Sequence, residues 1–256
     1  MKLAAFEGLY EGERNAGLIA FGVPNHAKRP GDGADPFLFK VKVPRLLSLL
    51  ANRQPDSFVP GIDDLVYGNE KEKIVGVQEK IDQGKIAIEE LARYKQAKAE
   101  GNEAAAGTAL KVFNRHQEFL GYGYLNSPEE AVPSFPVAFY SFHIMVALGT
   151  LFPVLFFLYL FFTYRDTIAK QKWLLIPGLG VIFLGFIAGE AGWLVAEMGR
   201  QPWAIQGLLP VSVARSNLTP ALVQTTFFMF LILFVILFVA EIRIMLQQIN
   251  KGPEEK

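Results

Sequence analysis

Apolar positions are distributed very unevenly along this chain. From Met1 to about Pro133 they are interspersed with charged and turn-forming residues, whereas from Ser134 to about Leu246 Leu, Phe, Val and Ile dominate. In the polar half, Ile74, Val77, Ile81, Ile88 and Leu91 recur at helical spacing over residues 69–94. Ala106, Leu110, Phe113 and Leu120 repeat the pattern after a break at Gly101 and Asn102. This predicts an antiparallel helical hairpin, with one face on something apolar and a solvated face rich in Lys and Glu. Residues 22–61 are rich in Pro and Gly with scattered charges, and read as an irregular ordered loop region.

The apolar half divides into three runs, each long enough to cross a hydrocarbon core about 30 Å thick. Residues 135–162 hold no Lys, Arg, Asp or Glu. Residues 173–198 begin on a tryptophan and carry Pro177 in their early turns, and a run over about 222–245 ends on Glu241 and Arg243. Pro133 and Pro136 mark the first start, where proline is tolerated in a first turn. The expected fold class is an all-α membrane protein: three transmembrane helices preceded by an outer-face, mostly helical loop domain. The domains are residues 1–133 and 134–256. Arg165, Lys170 and Lys172 lie between the first two runs, and Arg243, Lys251 and Lys256 at or after the third. The positive-inside rule puts these in the cytoplasm, and residues 1–133 and the loop between the second and third runs on the outer face.

Composition removes several function classes. There is no cysteine, which excludes disulfides, thiolate zinc sites and cysteine-ligated clusters. No Walker loop, zinc spacing, nucleotide fingerprint or internal repeat is present, and no basic run suited to nucleic acid. The first residues hold one lysine and then acids, not a basic region followed by an apolar run, so export of the first half is expected to be directed by another segment.

The strongest chemical signal is GEAGWLVAEMGRQPW at residues 189–203. Glu190 and Glu197 are seven apart, close to two turns, and share a helix face with Trp193 between them. A carboxylate in a bilayer costs about 2.5–3.5 kcal/mol on insertion scales, so it is rarely there without a partner or a function. Gly199 suits a left-handed C-cap and Pro202 stops the helix. Arg200 has no such role as punctuation, and a guanidinium beside a carboxylate or a propionate forms a strong bidentate pair.

With these residues the chain resembles subunit I of the cytochrome bd-type quinol oxidases. GRQPW after Trp-x-x-x-Glu, SFHIMVALG at 141–149 and KLAAFE at 2–7, continuing as GLYEGERNAGLIAFGVP at 8–24, carry the resemblance. It covers essentially the whole chain but only the C-terminal half of the family's subunit, from the quinol-binding loop onward, and the loop has the length of the long-loop branch.

The resemblance implies roles residue by residue. Met145 is the axial ligand of the low-spin haem b, and Glu197 the carboxylate at the iron of the high-spin haem b. Trp193 and Arg200 lie among the haems, and Glu190 serves proton delivery or packs on a haem. His143 stands where family members often carry arginine. It is about 200° around the helix from Met145 and cannot share its iron, so a haem propionate or the quinol side is its expected contact. Lys2 and Glu7 form the quinol-site pair, the carboxylate accepting a proton and the lysine orienting a ring oxygen. Five residues apart, they would not share a helix face, so a loop or a helix edge is expected to bring them together. Glu11 is a weaker candidate. On composition alone each has a plain reading: a core methionine, an acid at the membrane edge, a satisfied interfacial histidine, two charges near a terminus.

The function so implied is oxidation of membrane quinol near the outer face of a bacterial or archaeal plasma membrane. Electrons pass through low-spin haem b to high-spin haem b and haem d, and dioxygen is reduced to water with generation of a proton motive force. The implied partners are the N-terminal half of subunit I, subunit II, small accessory subunits, lipid and quinone. Alone, the chain is expected to be inactive, because half of each haem pocket lies in residues it lacks. A split gene, a truncated reading and an internal fragment compete as origins, and the first is the one with a function. The alternatives are a non-enzymatic scaffold or assembly subunit without haem, a sensor with an external hairpin on a three-helix anchor, and an oxidase with haem b in place of haem d.

Overall fold

The computed structural model describes residues 1–252, so Lys256, one of the charges used to orient the chain, lies outside the described residues. Two units are present, Met1–Ala214 and a second from Arg215 onward.

The first unit opens with α1 (Lys2–Glu7), which ends on Gly8 in the left-handed region at φ 58°. A Cβ there would meet the Phe135 and Phe37 rings at 2.4 and 2.6 Å, so both backbone and space require glycine. Two antiparallel pairs follow: β1 (Glu13–Arg14) with β4 (Phe58–Val59), and β2 (Leu18–Pro24) with β3 (Phe37–Val43). Two short helices, α2 (Leu46–Asn52) and α3 (Ile62–Tyr67), flank β4. The stretch expected to be irregular therefore contains a β-hairpin. Its second strand has a period of two, with Phe39, Val41 and Val43 alternating with Lys40 and Lys42.

The helical hairpin is α4 (Val77–Ala99) and α5 (Glu103–His116), reversed at Gly101 and capped by the Asn102 side chain, which accepts from Ala105 N–H. The first helix starts at Val77, because Asn69 and Ile74 pair across a turn instead of joining it. On α5 the inner face is Ala106 and Ala109, and Leu110 is exposed, one position off the expected stripe. The 3₁₀ segment Gln117–Tyr124 lies against α4, where Gly84 faces Gly123 closely enough that a Cβ on Gly84 would sit 2.3 Å from the Gly123 nitrogen.

Two long helices complete the unit, α6 (Phe135–Tyr164) and α7 (Lys172–Met198), packed on each other and tied near their shared loop by Tyr159 Oη donating to the Leu174 carbonyl at 2.6 Å. A two-stranded ribbon, β5 (Trp203–Ile205) and β6 (Leu209–Pro210), follows. One apolar cluster joins α1, β2, β3 and α3 to the first turns of α6 through Tyr10, Ile19, Phe37, Ile62, Phe135 and Phe139. A second joins α4 to the ribbon through Val77, Ile81, Leu125 and Trp203. The second unit is α8 (Pro220–Lys251), with proline in its first turn and no buried residue.

The helices α6, α7 and α8 are long and apolar enough to cross a membrane. With 30 residues, α6 is about 45 Å long and exceeds a hydrocarbon core of about 30 Å. Its first turns thus have length to spare for packing against the N-terminal module.

Candidate functional site

Glu7 is 2% exposed, and its Oε2 accepts a hydrogen bond from Ile19 N–H at 3.0 Å. Burial pushes this carboxyl above its ordinary value, offset in part by the Ile19 N–H and by nearby His143. The Ile19 carbonyl in turn accepts from His143 Nε2 at 2.7 Å, while His143 Nδ1 lies 2.9 Å from the Phe139 carbonyl. Both partners are carbonyl oxygens, which accept, so the ring nitrogen that carries the proton donates to the one it faces. Its ring also stacks on Phe139 at 3.9 Å between centroids. Through Ile19, a carboxylate on α1 is thus tied to an imidazole on α6.

Glu7 lines a cleft of about 330 Å³ together with Tyr10, Lys28, Phe37 and Lys40. Tyr10 is buried, edge-on to Phe135, and its hydroxyl is pushed up to about 12 by burial and by Asp63 and Asp32. The Lys28 ammonium lies 4.6 Å from the centre of the Tyr10 ring and 2.5 Å from Asp32 Oδ1. Glu11 also borders this cleft, on its exposed side.

Lys2 stands elsewhere. Its side chain and Phe6 cover Gly199 at the end of α7, where a Cβ would meet Phe6 at 2.8 Å and Lys2 Cε at 3.1 Å. Phe6 stacks on Phe142 at 5.0 Å. The structure thus brings Lys2 to the GRQPW turn and Glu7 to the cleft, on different sides of α1, as their five-residue spacing requires.

On α7, Leu174, Ala191 and Val195 are buried, with Gly192 on the same side. A Cβ at Gly192 would come within 3.3 Å of the Met145 sulfur, which places half-buried Met145 on the seam between α6 and α7. At 100° per residue, Glu190, Trp193 and Glu197 fall about 180° from that seam. Glu190 is exposed, Trp193 is 60% exposed, and Glu197 pairs with Arg200 Nη2 through Oε2 at 2.5 Å. Arg200 Nε is buried and has no hydrogen-bond partner among the described residues. Gly199 is in the right-handed region at φ −70°, not the left-handed cap expected of it. Trp203 is a core residue, 3% exposed and edge-on to Tyr122 at 4.8 Å, so it anchors the turn to the helical hairpin.

Ile19, Tyr10, Lys28 and Phe37 escaped assignment from the sequence. For Lys28 no signal existed, since it is one charge among several in a Pro- and Gly-rich stretch.

The fold and these residues define a polytopic α-helical membrane protein with ionisable groups on an apolar helix and a folded polar module before the first span. The family model for cytochrome bd terminal oxidase subunit I matches residues 1–253, and the chain belongs to this family. It is 30% identical over 271 residues to the cytochrome bd-II ubiquinol oxidase subunit 1 of Escherichia coli (strain K12), covering 99% of this chain and 49% of that one. Against the cytochrome bd ubiquinol oxidase subunit 1 of Bacillus subtilis (strain 168) it is 30% identical over 124 residues, 48% of this chain and 26% of the relative. The solved bd oxidase from Geobacillus thermodenitrificans matches in fold, with a TM-score of 0.59 at 22% identity, over 98% of this chain and 42% of that one. The chain therefore spans no more than about half the length of the curated relatives it matches.

Proposed function

We propose that this chain is the C-terminal half of the haem-bearing subunit of a bd-type terminal oxidase, which oxidises membrane quinol, reduces dioxygen to water and generates a proton motive force. The observation that carries this reading is the buried Glu7 carboxylate in a cleft outside the spans, joined through Ile19 to His143, two residues from Met145. This supports the reading, because the carboxylate assigned to quinol and the thioether assigned to haem then belong to one connected framework.

The residues present suit haem. Met145 supplies a neutral thioether of the kind that raises a haem's potential, and Glu197 supplies a carboxylate. They lie on different sides of α7 and so serve different sites. Positions 149, 185 and 189 are glycines with open space where a Cβ would stand, leaving bare helix surface for a flat macrocycle. Arg200 Nε is a buried donor without a partner among the described residues, suited to a propionate. In this reading Met145 holds the low-spin haem b and Glu197 the high-spin haem b, with haem d completing the oxygen site. These groups supply electron transfer and oxygen chemistry when bound.

The chain's own residues do the rest. Glu7 accepts a proton from quinol, and Lys2 supplies a cation from the other side of α1. His143 fixes the strand that orients Glu7. Arg200 holds Glu197 in place, Trp193 fills the space between the two acids, and Glu190 serves proton delivery. Residues 1–133 form the outer-face domain and residues 134–256 the membrane domain, with the C-terminus cytoplasmic. The N-terminal half of subunit I, on the same or a second polypeptide, covers the exposed face of α7. Subunit II and small accessory subunits complete the complex.

The test is a reduced-minus-oxidised absorbance spectrum of the protein purified gently from its native membrane, with the accompanying chains identified. Bands of haem b and haem d beside an N-terminal-half segment support the reading, and a colourless preparation rejects it.

A further inference from the structure

Lysine is almost never fully buried without a partner or a task. Lys28, in the connection between β2 and β3, is 5% exposed and lines the same cleft as Glu7. An ammonium has three donors. Asp32 takes one and the Tyr10 ring faces the nitrogen, which leaves a donor for the cleft. Closing the loop does not explain the burial, because Asp32 is already held by the backbone N–H groups of Arg29 and Ala34.

The other lysines of the cleft wall are neutralised at its rim. Lys40 pairs with Asp35 at 3.2 Å and Lys42 with Glu13 at 2.8 Å, their side chains 33% and 35% exposed. Glu7 has no ion-pair partner among the described residues. The cleft thus offers a desolvated carboxylate, a desolvated ammonium and aromatic walls at Tyr10 and Phe37, in a volume of about 330 Å³. Small-molecule sites occupy about 300–1,000 Å³ with a few placed polar groups. A quinol is a flat ring with hydroxyls at opposite ends, so a base at one oxygen leaves the other in need of a donor.

We infer that Lys28 is a positioning residue for the quinol head group, donating from its ammonium to the ring oxygen that Glu7 does not reach. The inference rests on the reading of Glu7 as the quinol-side base. Lys2, against Gly199, does not line this cleft.

The experiment is oxygen uptake by the assembled oxidase in membranes, with duroquinol as donor. Lys28→Met raises KM about tenfold, with kcat within about twofold and the haem spectrum unchanged, the expected loss for a hydrogen bond from a charged donor. Asp32→Asn breaks the same ion pair but keeps the ammonium, and leaves KM within about twofold of wild type. An unchanged KM in Lys28→Met, or equal rises in both variants, overturns the assignment. Glu7→Gln is measured in parallel. If it is slow while Lys28→Met is normal, Lys28 alone loses its role. If Glu7→Gln turns over normally, the cleft is not the quinol site and Lys28 falls with it. Should Lys28→Met not assemble, an azido-benzoquinone photolabel on the wild-type enzyme decides. Quinol-protected label on the Lys28 peptide supports the role, and label confined to the Lys2 side of α1 overturns it.

Discussion

Glu7 and His143 hydrogen-bond to the same residue. Ile19 gives its N–H to Glu7 Oε2 at 3.0 Å and receives His143 Nε2 on its carbonyl at 2.7 Å. In a strand these two groups of one residue point to the same side, so the imidazole and the carboxylate flank one edge of β2. His143→Ala leaves that carbonyl without its partner, at about 1–3 kcal/mol if it stays dry, and frees the strand that aims Glu7. The expected outcome is a fall of about tenfold in kcat/KM for quinol, with both haem b signals retained. His143→Gln, which keeps one donor, recovers part of the loss. Steady-state kinetics on preparations of matched haem content would check this, and full activity in His143→Ala would remove the coupling.

With Glu7 as the quinol-side base proposed above, a pH dependence of quinol oxidation is expected. Burial raises its carboxyl above 4.5, and only the ionised form accepts a proton. Turnover should therefore rise with pH through a value above 4.5, and Glu7→Gln should abolish that limb as well as slow the reaction. The stability sign is opposite. A folded value above the unfolded one means stability present at acid pH and lost as pH rises through the folded value. Glu7→Gln is then slightly more stable than wild type at neutral pH, as thermal loss of haem absorbance would show.

Much of this was legible in the sequence, and what was not has physical causes. Long apolar runs bounded by proline or tryptophan mark α6, α7 and α8 because a bilayer tolerates little else. The hairpin α4–α5 is announced by its period and by Gly101. The strands β2 and β3 were obscured because Pro24 and the loop beyond it dominate the local composition, while the alternation sits in only seven residues, Phe37–Val43. Among candidate residues, the seven-residue spacing of Glu190 and Glu197 placed them on one face of α7. Spacing put Lys2 and Glu7 on different sides of a helix, but the pairing expected of them across a loop or helix edge is not formed: Lys2 lies at Gly199 and Glu7 in the cleft. The cleft did not, because Tyr10, Lys28 and Phe37 meet only through long-range packing of α1 on the β2–β3 hairpin.

The helical hairpin depends on a backbone contact that tolerates no side chain. A Cβ on Gly84 would sit 2.3 Å from both the Gly123 nitrogen and the Phe119 carbonyl oxygen. Neither is a flexible side-chain end that can swing aside. Gly84→Ala should thus force α4 off the Gln117–Tyr124 segment despite alanine's better helix propensity, costing at least the roughly 1–3 kcal/mol of ordinary overpacking. Gly107→Ala, on α5 with open space around it, should be neutral or stabilising by up to about 1 kcal/mol. Limited proteolysis across residues 77–124 distinguishes the two, and equal resistance would mean that the contact relaxes freely.

Glu197 and Arg200 are three residues apart at the end of α7 and joined at 2.5 Å, while Met145 lies on the opposite side of that helix. The proposed assignment of these two residues to separate haems predicts two separable spectral losses. Glu197→Ala should remove the high-spin haem b signal and leave the low-spin one, with Arg200 stranded beside a vacated carboxylate position. Met145→Ala should do the reverse. Arg200→Gln keeps the carboxylate but removes its cation and the buried Nε donor. It should weaken retention of the high-spin haem rather than abolish it, since a partly exposed pair of this kind contributes about 1 kcal/mol or less. Reduced-minus-oxidised and carbon monoxide difference spectra on the three variants separate these outcomes. If Glu197→Ala left both signals at wild-type strength, the carboxylate would be an acid at the membrane edge and its pairing with Arg200 a helix-end contact without a part in haem binding.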